Sequence, residues 1–103
     1  MVKEITELSE LQSALEENNV VVVDYWATWC GPCKLIAPFY KDLDDKYENV
    51  CFLKVDVDEA EELATSQEIQ CMPTFHIFKN KEKVETIKGA KKEELEESIK
   101  KNL

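Results

Sequence analysis

The 103-residue sequence predicts a single α/β domain spanning residues 1–103, with a mixed central sheet, the order βαβαβαββα and helices on both faces. Three observations carry that reading. Val20-Val21-Val22-Val23 is apolar at every position, the pattern of a strand covered on both sides. Apolar side chains recur at helical spacing around Leu8-Leu11-Leu15, through 34–43, and around Leu95-Ile99-Leu103, so strands alternate with helices. Finally, 74–79 and 83–88 flank Asn80-Lys81 as a hairpin, which closes the sheet with antiparallel strands.

Taken in order, 2–5 reads as a short first strand. A helix follows with Leu8, Leu11 and Leu15 on one face, Thr6 or Ser9 as its cap and Asn18-Asn19 at its end. The central strand covers 20–26. The next helix runs from about Cys33 to Tyr47 and contains Pro38, which lacks an N–H, clashes with the carbonyl one turn back and is expected to kink it. The strand 51–57 carries Phe52, Leu53, Val55 and Val57, after which Asp58 is expected to cap a short acidic helix ending at Ser66. Met72-Pro73 precedes the hairpin, and 91–102 forms the last helix. Two places run against local preference. The turn at Asn80-Lys81 has no glycine, although Asn tolerates positive φ, and Lys91-Lys92 puts positive charge at a helix N-terminus, offset in part by Glu93 and Glu94.

Composition narrows the function. With 44% apolar residues the chain can bury one core, and no apolar run approaches the length of a membrane span. A formal net charge of −9 with no clustered basic face argues against nucleic acid and anionic membranes, both of which require Lys and Arg against phosphate. The N-terminus lacks the long apolar stretch of a signal peptide, so a cytoplasmic location, extending to the nucleus, is expected. In that reducing setting the four cysteines are expected to serve chemistry rather than structural bridges.

The chemistry centres on Trp29-Cys30-Gly31-Pro32-Cys33, where the central strand hands over to a helix. Two cysteines three apart at a first helical turn share one face and lie close enough to bond. The free N–H groups and partial positive charge there stabilise a thiolate, the only form that attacks a disulfide. Cys30, ahead of the helix, is expected to be the more exposed thiol and the nucleophile. Cys33, one turn in and shielded, is placed to resolve the mixed disulfide. Pro32 presets φ for the first helical position, and Gly31 lets another backbone approach. Half of a zinc site is the rival reading, but a structural zinc needs four ligands, and the chain has one histidine and no second Cys-X-X-Cys. No metal is expected. Asp24 interrupts the apolar strand. If buried it must protonate or find a partner, so its pKa should be raised; at a strand end facing solvent it would be ordinary. Taken alone, Met72-Pro73 reads as an ordinary trans bond, Lys54 as an exposed lysine, Cys51 as a buried inert thiol and His76 as a hydrogen-bonded structural residue.

Trp-Cys-Gly-Pro-Cys after a strand containing Asp, followed by Met72-Pro73-Thr74-Phe75, resembles the thioredoxin family; Lys54-Val55-Asp56-Val57-Asp58, Lys79-Asn80 and Gly89-Ala90 extend the likeness over essentially the whole chain, in a form similar to the cytosolic eukaryotic branch. The resemblance implies the thioredoxin fold and a redox disulfide between Cys30 and Cys33. It also implies a proton-exchanging Asp24 beneath Cys33, approached by Lys54, and a cis bond before Pro73. Trp29, Met72, Pro73, Gly89 and Ala90 would line a shallow groove, where the Met72 backbone bonds an extended substrate strand. It implies a monomer without bound cofactor that reduces protein disulfides, including those of peroxiredoxins and ribonucleotide reductase, and is recharged by an NADPH-dependent thioredoxin reductase. Cys71, at the groove's edge, becomes a candidate regulatory thiol that links two chains on oxidation.

Two rivals stand beside that reading. An oxidase or isomerase favours His between the cysteines, whereas Gly-Pro points to a reductant with a potential of roughly −270 mV. A redox-switched binding module would use the groove around Trp29 and Pro73 simply to hold a partner.

Overall fold

A computed structural model describes residues 1–103. The elements are β1 (Lys3–Glu4), α1 (Leu8–Glu17), β2 (Val20–Trp26), α2 (Gly31–Lys46), β3 (Val50–Asp56), α3 (Glu61–Ser66), β4 (Thr74–Lys79), β5 (Glu82–Lys88) and α4 (Lys92–Lys100). They follow the expected βαβαβαββα order. The five strands lie as β1-β3-β2-β4-β5, with β1, β3 and β2 parallel and β4 antiparallel to both β2 and β5.

The continuous valine run is explained by what covers it. Even-numbered Val20 and Val22 pack with Phe52, Phe75 and Ile77 under Ile36, Tyr40 and Leu43 of α2 and Leu95 and Ile99 of α4. Odd-numbered Val21, Val23 and Tyr25 pack with Leu53, Val55 and Phe78 under Leu11 of α1 and Leu63 of α3. A strand buried on both faces needs no alternation of polar and apolar residues, so β2 places whatever follows it from a rigid base. The Tyr40 hydroxyl fastens α2 to the sheet: its one proton is shared between the carbonyls of Leu53 at 2.6 Å and Val22 at 3.1 Å. No helix is long and apolar enough to cross a membrane.

Several element ends differ from expectation. Neither Thr6 nor Ser9 caps α1; Glu7 holds that position, and the Glu10 carboxylate reaches back to accept from the N–H groups of Thr6 and Glu7, both at 3.0 Å. Asp58 does not cap α3, which begins after Ala60, because its carboxylate is engaged by Trp29. β3 starts one residue early, at Val50, and its last strand residue is Asp56. α2 continues through Pro38 to Lys46. At the C-terminus α4 ends at Lys100, so Leu103 lies beyond the helix and is exposed rather than aligned with Leu95 and Ile99. At the hairpin both Asn80 (φ 51°) and Lys81 (φ 74°) are left-handed, the geometry that fits a two-residue turn to twisted strands.

Candidate active site

Cys30 and Cys33 are joined as a disulfide, with Cα atoms 5.3 Å apart, at the end of β2. α2 begins two residues earlier than the sequence suggests. The Cys30 sulfur acts as the N-cap, accepting the Cys33 N–H at 3.2 Å, so Gly31 is the first helical residue and Pro32 the second. The missing N–H of proline is harmless there, since first-turn donors have no helical partner. Both cysteines are buried in the disulfide: Cys30 is 5% exposed and Cys33 3%, so the expected order holds by a narrow margin and neither sulfur is open to solvent. The disulfide and the N–H bond turn both sulfurs inward, against Ala27 with Trp26, Val57 and Met72 around them. What is exposed is the rim: Gly31, Pro32 and Trp29. A Cβ placed on Gly31 would meet nothing within 4 Å, so the approach over the pair is open. Trp29 is 66% exposed, and its indole N–H donates to Asp58 at 2.9 Å; that bond fixes the ring beside the cysteines and was missed at the sequence level.

Across the pair lies the segment before β4. The Met72-Pro73 bond is cis, as the resemblance implied and the bare sequence did not. Met72 packs against the cysteines, and neither its N–H nor its carbonyl makes a hydrogen bond within the chain. Gly89, in the left-handed region at φ +100°, donates its N–H to the Pro73 carbonyl at 2.8 Å, which brings Gly89 and the exposed Ala90 alongside. Cys71 is exposed, with its sulfur 3.6 Å from the Thr74 hydroxyl.

Asp24 takes the buried alternative. It is 4% exposed, and its Oδ1 has no hydrogen-bond partner. Burial pushes its carboxyl up from 3.8 to about 7; Lys54 opposes that shift and Glu4 adds to it. Asp24 lines a cleft of about 760 Å³ with Lys34, Ala37, Pro38, Tyr40 and Lys54, on the α2 side of the sheet. No hydrogen bond joins it to Cys33 in the disulfide form. Lys54 is half-buried rather than freely exposed, its Nζ 4.3 Å from the centre of the Trp26 ring. This is a carboxyl poised to gain or lose a proton near neutrality, on the strand that leads into the cysteine pair.

The thioredoxin family profile matches residues 2–101. The chain belongs to the thioredoxin family. Thioredoxin of the horse, Equus caballus, is 52% identical over 102 residues, 97% of each chain. A reduced thioredoxin pre-protein of Schistosoma mansoni superposes with a TM-score of 0.92 at 48% identity, covering 99% of this chain and 98% of that one. A structure describing the thiol-resolving mechanism in yeast mitochondrial 1-Cys peroxiredoxin via glutathione/thioredoxin systems superposes at 0.93 with 37% identity, over 97% and 94% of the two chains. The fold is the thioredoxin fold, and the chain is a dithiol–disulfide oxidoreductase whose Cys30–Cys33 disulfide occupies the family's active-site position.

Two other sequence readings meet the structure outside this site. His76 is buried but not hydrogen-bonded as expected. Its Nδ1 has no partner, its ring packs edge-on to Tyr25 at 5.0 Å and Phe78 at 6.2 Å, and burial, with Lys83, pushes its pKa down to about 4. Cys51 is half-buried, and burial pushes its thiol pKa up, away from reactivity.

Proposed function

We propose that the chain reduces target disulfides with Cys30 as nucleophile and Cys33 as resolving thiol. The Cys30 thiolate attacks one sulfur of the target disulfide, forming a mixed disulfide and releasing the other as a thiolate. Cys33 then attacks the Cys30 sulfur, expels the second target thiolate and leaves Cys30–Cys33 oxidised. The target gains two electrons and, with solvent, two protons. Asp24 accepts the proton that Cys33 must lose, through water in the cleft, with Lys54 as the charged neighbour that adjusts it. The observation that carries this reading is the free Met72 backbone beside a buried cysteine pair: an extended target strand that bonds to Met72 is held over Cys30. Trp29, Pro73, Gly89 and Ala90 complete the groove wall, while Gly31 and Pro32 keep its floor open and preset.

By family membership the electrons come from an NADPH-dependent thioredoxin reductase and go to targets such as peroxiredoxins, in keeping with the peroxiredoxin setting of one structural relative, and ribonucleotide reductase. The protein works as a one-domain monomer in the cytoplasm and nucleus, and oxidation joins two copies through the exposed Cys71.

A trapping gel tests the roles. Cys33→Ser should hold a disulfide-containing target as a mixed disulfide that a dithiol releases, and Cys30→Ser should hold none; the opposite pattern overturns the assignment. On the same non-reducing gel, a dimer band in oxidised wild type should vanish in Cys71→Ser, and its persistence removes Cys71 from the proposal.

A further inference from the structure

The sheet register places three charged side chains in a row. Lys54 on β3 is the register partner of Glu4 on β1 and of Asp24 on β2, and parallel register partners point to the same face, one strand spacing apart. One cation therefore stands between two carboxylates. It forms an ion pair with neither. Its Nζ lies instead over the Trp26 ring at 4.3 Å, and the Trp26 indole N–H donates to the Glu4 carboxylate at 3.2 Å. Glu4 grips the edge of the ring, and the ring's face holds the lysine.

We infer that Glu4 is a positioning residue for Asp24: by fixing Trp26, and through it Lys54, it keeps the buried Asp24 carboxyl free of an ion pair and able to exchange its proton. The other groups facing Asp24 leave this to the row. On α2, Lys34 and Lys41 share the cleft with Asp44 and Asp45, two charges of each sign, and Asp44 is paired with the N-terminal amine at 2.9 Å. Tyr40 shares its one proton between two backbone carbonyls, and burial pushes its pKa up, keeping it uncharged. The carboxylate of Glu4 also acts directly, since a like charge holds the Asp24 proton in place. Both effects have one sign, so removing the Glu4 carboxylate lowers the pKa of Asp24. The inference rests on the reading of Asp24 as the proton acceptor for Cys33, and the experiment separates the two.

Glu4 is exposed and makes no core contact, so Glu4→Ala leaves the fold intact. The Asp24 carboxyl carbon, isotopically labelled, is titrated by NMR in the oxidised protein. Glu4→Ala, which removes both the charge and the acceptor for the Trp26 N–H, should move the Asp24 midpoint down by about one pH unit. In a Lys54→Gln background the same change should move it by less than half as much, because the lysine is then absent. An unmoved or raised midpoint overturns the inference, as does a shift of equal size in both backgrounds, which would make Glu4 a distant charge rather than a positioning group. The pH profile of mixed-disulfide resolution is then compared in the same variants. A limb that follows the Asp24 midpoint supports both readings; a profile unchanged while the midpoint moves removes Asp24 as the acceptor for Cys33 and leaves the hold of Glu4 on Asp24 standing.

Discussion

A carboxyl that titrates at about 7 in the fold and at 3.8 in an unfolded chain binds its proton more tightly folded than unfolded. For Asp24 the sign follows from that. Its contribution to stability is intact below about pH 4, falls as pH rises, and is lost once pH passes 7. At roughly 1.4 kcal/mol per pH unit, the fold gives up on the order of 4 kcal/mol above neutrality to keep this group in place. Asp24→Asn removes the titration while nearly preserving shape. The variant should unfold at higher urea than wild type at pH 8, by roughly 2–4 kcal/mol, and the gap should close at pH 4. A gap equal at both pH values would mean that packing, and not the buried charge, sets the difference. A residue this destabilising at neutral pH fits the proton-accepting role proposed for Asp24.

At the scale of elements, the hairpin shows a similar tension without a chemical reason. Lys81 holds φ 74° at a turn position that suits glycine, which has no Cβ to crowd the next carbonyl. Lys81→Gly should relieve about 1 kcal/mol of backbone strain and lose only the Lys81–Glu16 pair, whose partners are both exposed and which is worth little. The expected result is a higher melting temperature with disulfide-reducing activity unchanged; a lower one would show that the pair outweighs the strain. The strands and helices were legible in the sequence because burial on one or both faces writes a period into it, as in Val20–Val23 and Leu11. Their ends were not, because capping is decided by side chains competing for partners. Glu10 won the N–H groups of Thr6 and Glu7 just ahead of α1, the Cys30 sulfur served as a cap, and Asp58 was drawn off to Trp29. Cys30 and Cys33 could be read from spacing alone, and Asp24 from its apolar neighbours. Glu4 could not, since its tie to Asp24 exists only once three strands, distant in sequence, adopt a common register.

For the whole molecule, the charge is uneven in effect as well as in sum. The chain carries a net charge of −9, and the exposed residues Asp58, Glu59, Glu61 and Glu62 follow directly from the strand end beside the cysteines, with Asp58 bonded to the exposed Trp29. Through Asp58 this acidic rim adjoins the exposed Trp29 beside Cys30. The Debye length is about 10 Å at 0.1 M salt and about 3 Å at 1 M, so at low salt the rim acts across the encounter distance and at high salt it does not. Peptide disulfides of equal length flanked by Arg or by Glu should therefore be reduced at rates differing by roughly tenfold in dilute buffer, the basic one faster, and should converge as salt approaches 1 M. Glu59→Gln, which alters an exposed side chain outside the groove, should narrow the low-salt difference while leaving the high-salt rate unchanged. Equal rates at low salt would show that the groove's apolar wall and the Met72 backbone select targets without help from charge. Rates that differ and persist in salt would place the discrimination in direct contacts instead, because contact pairs are screened far less than approach.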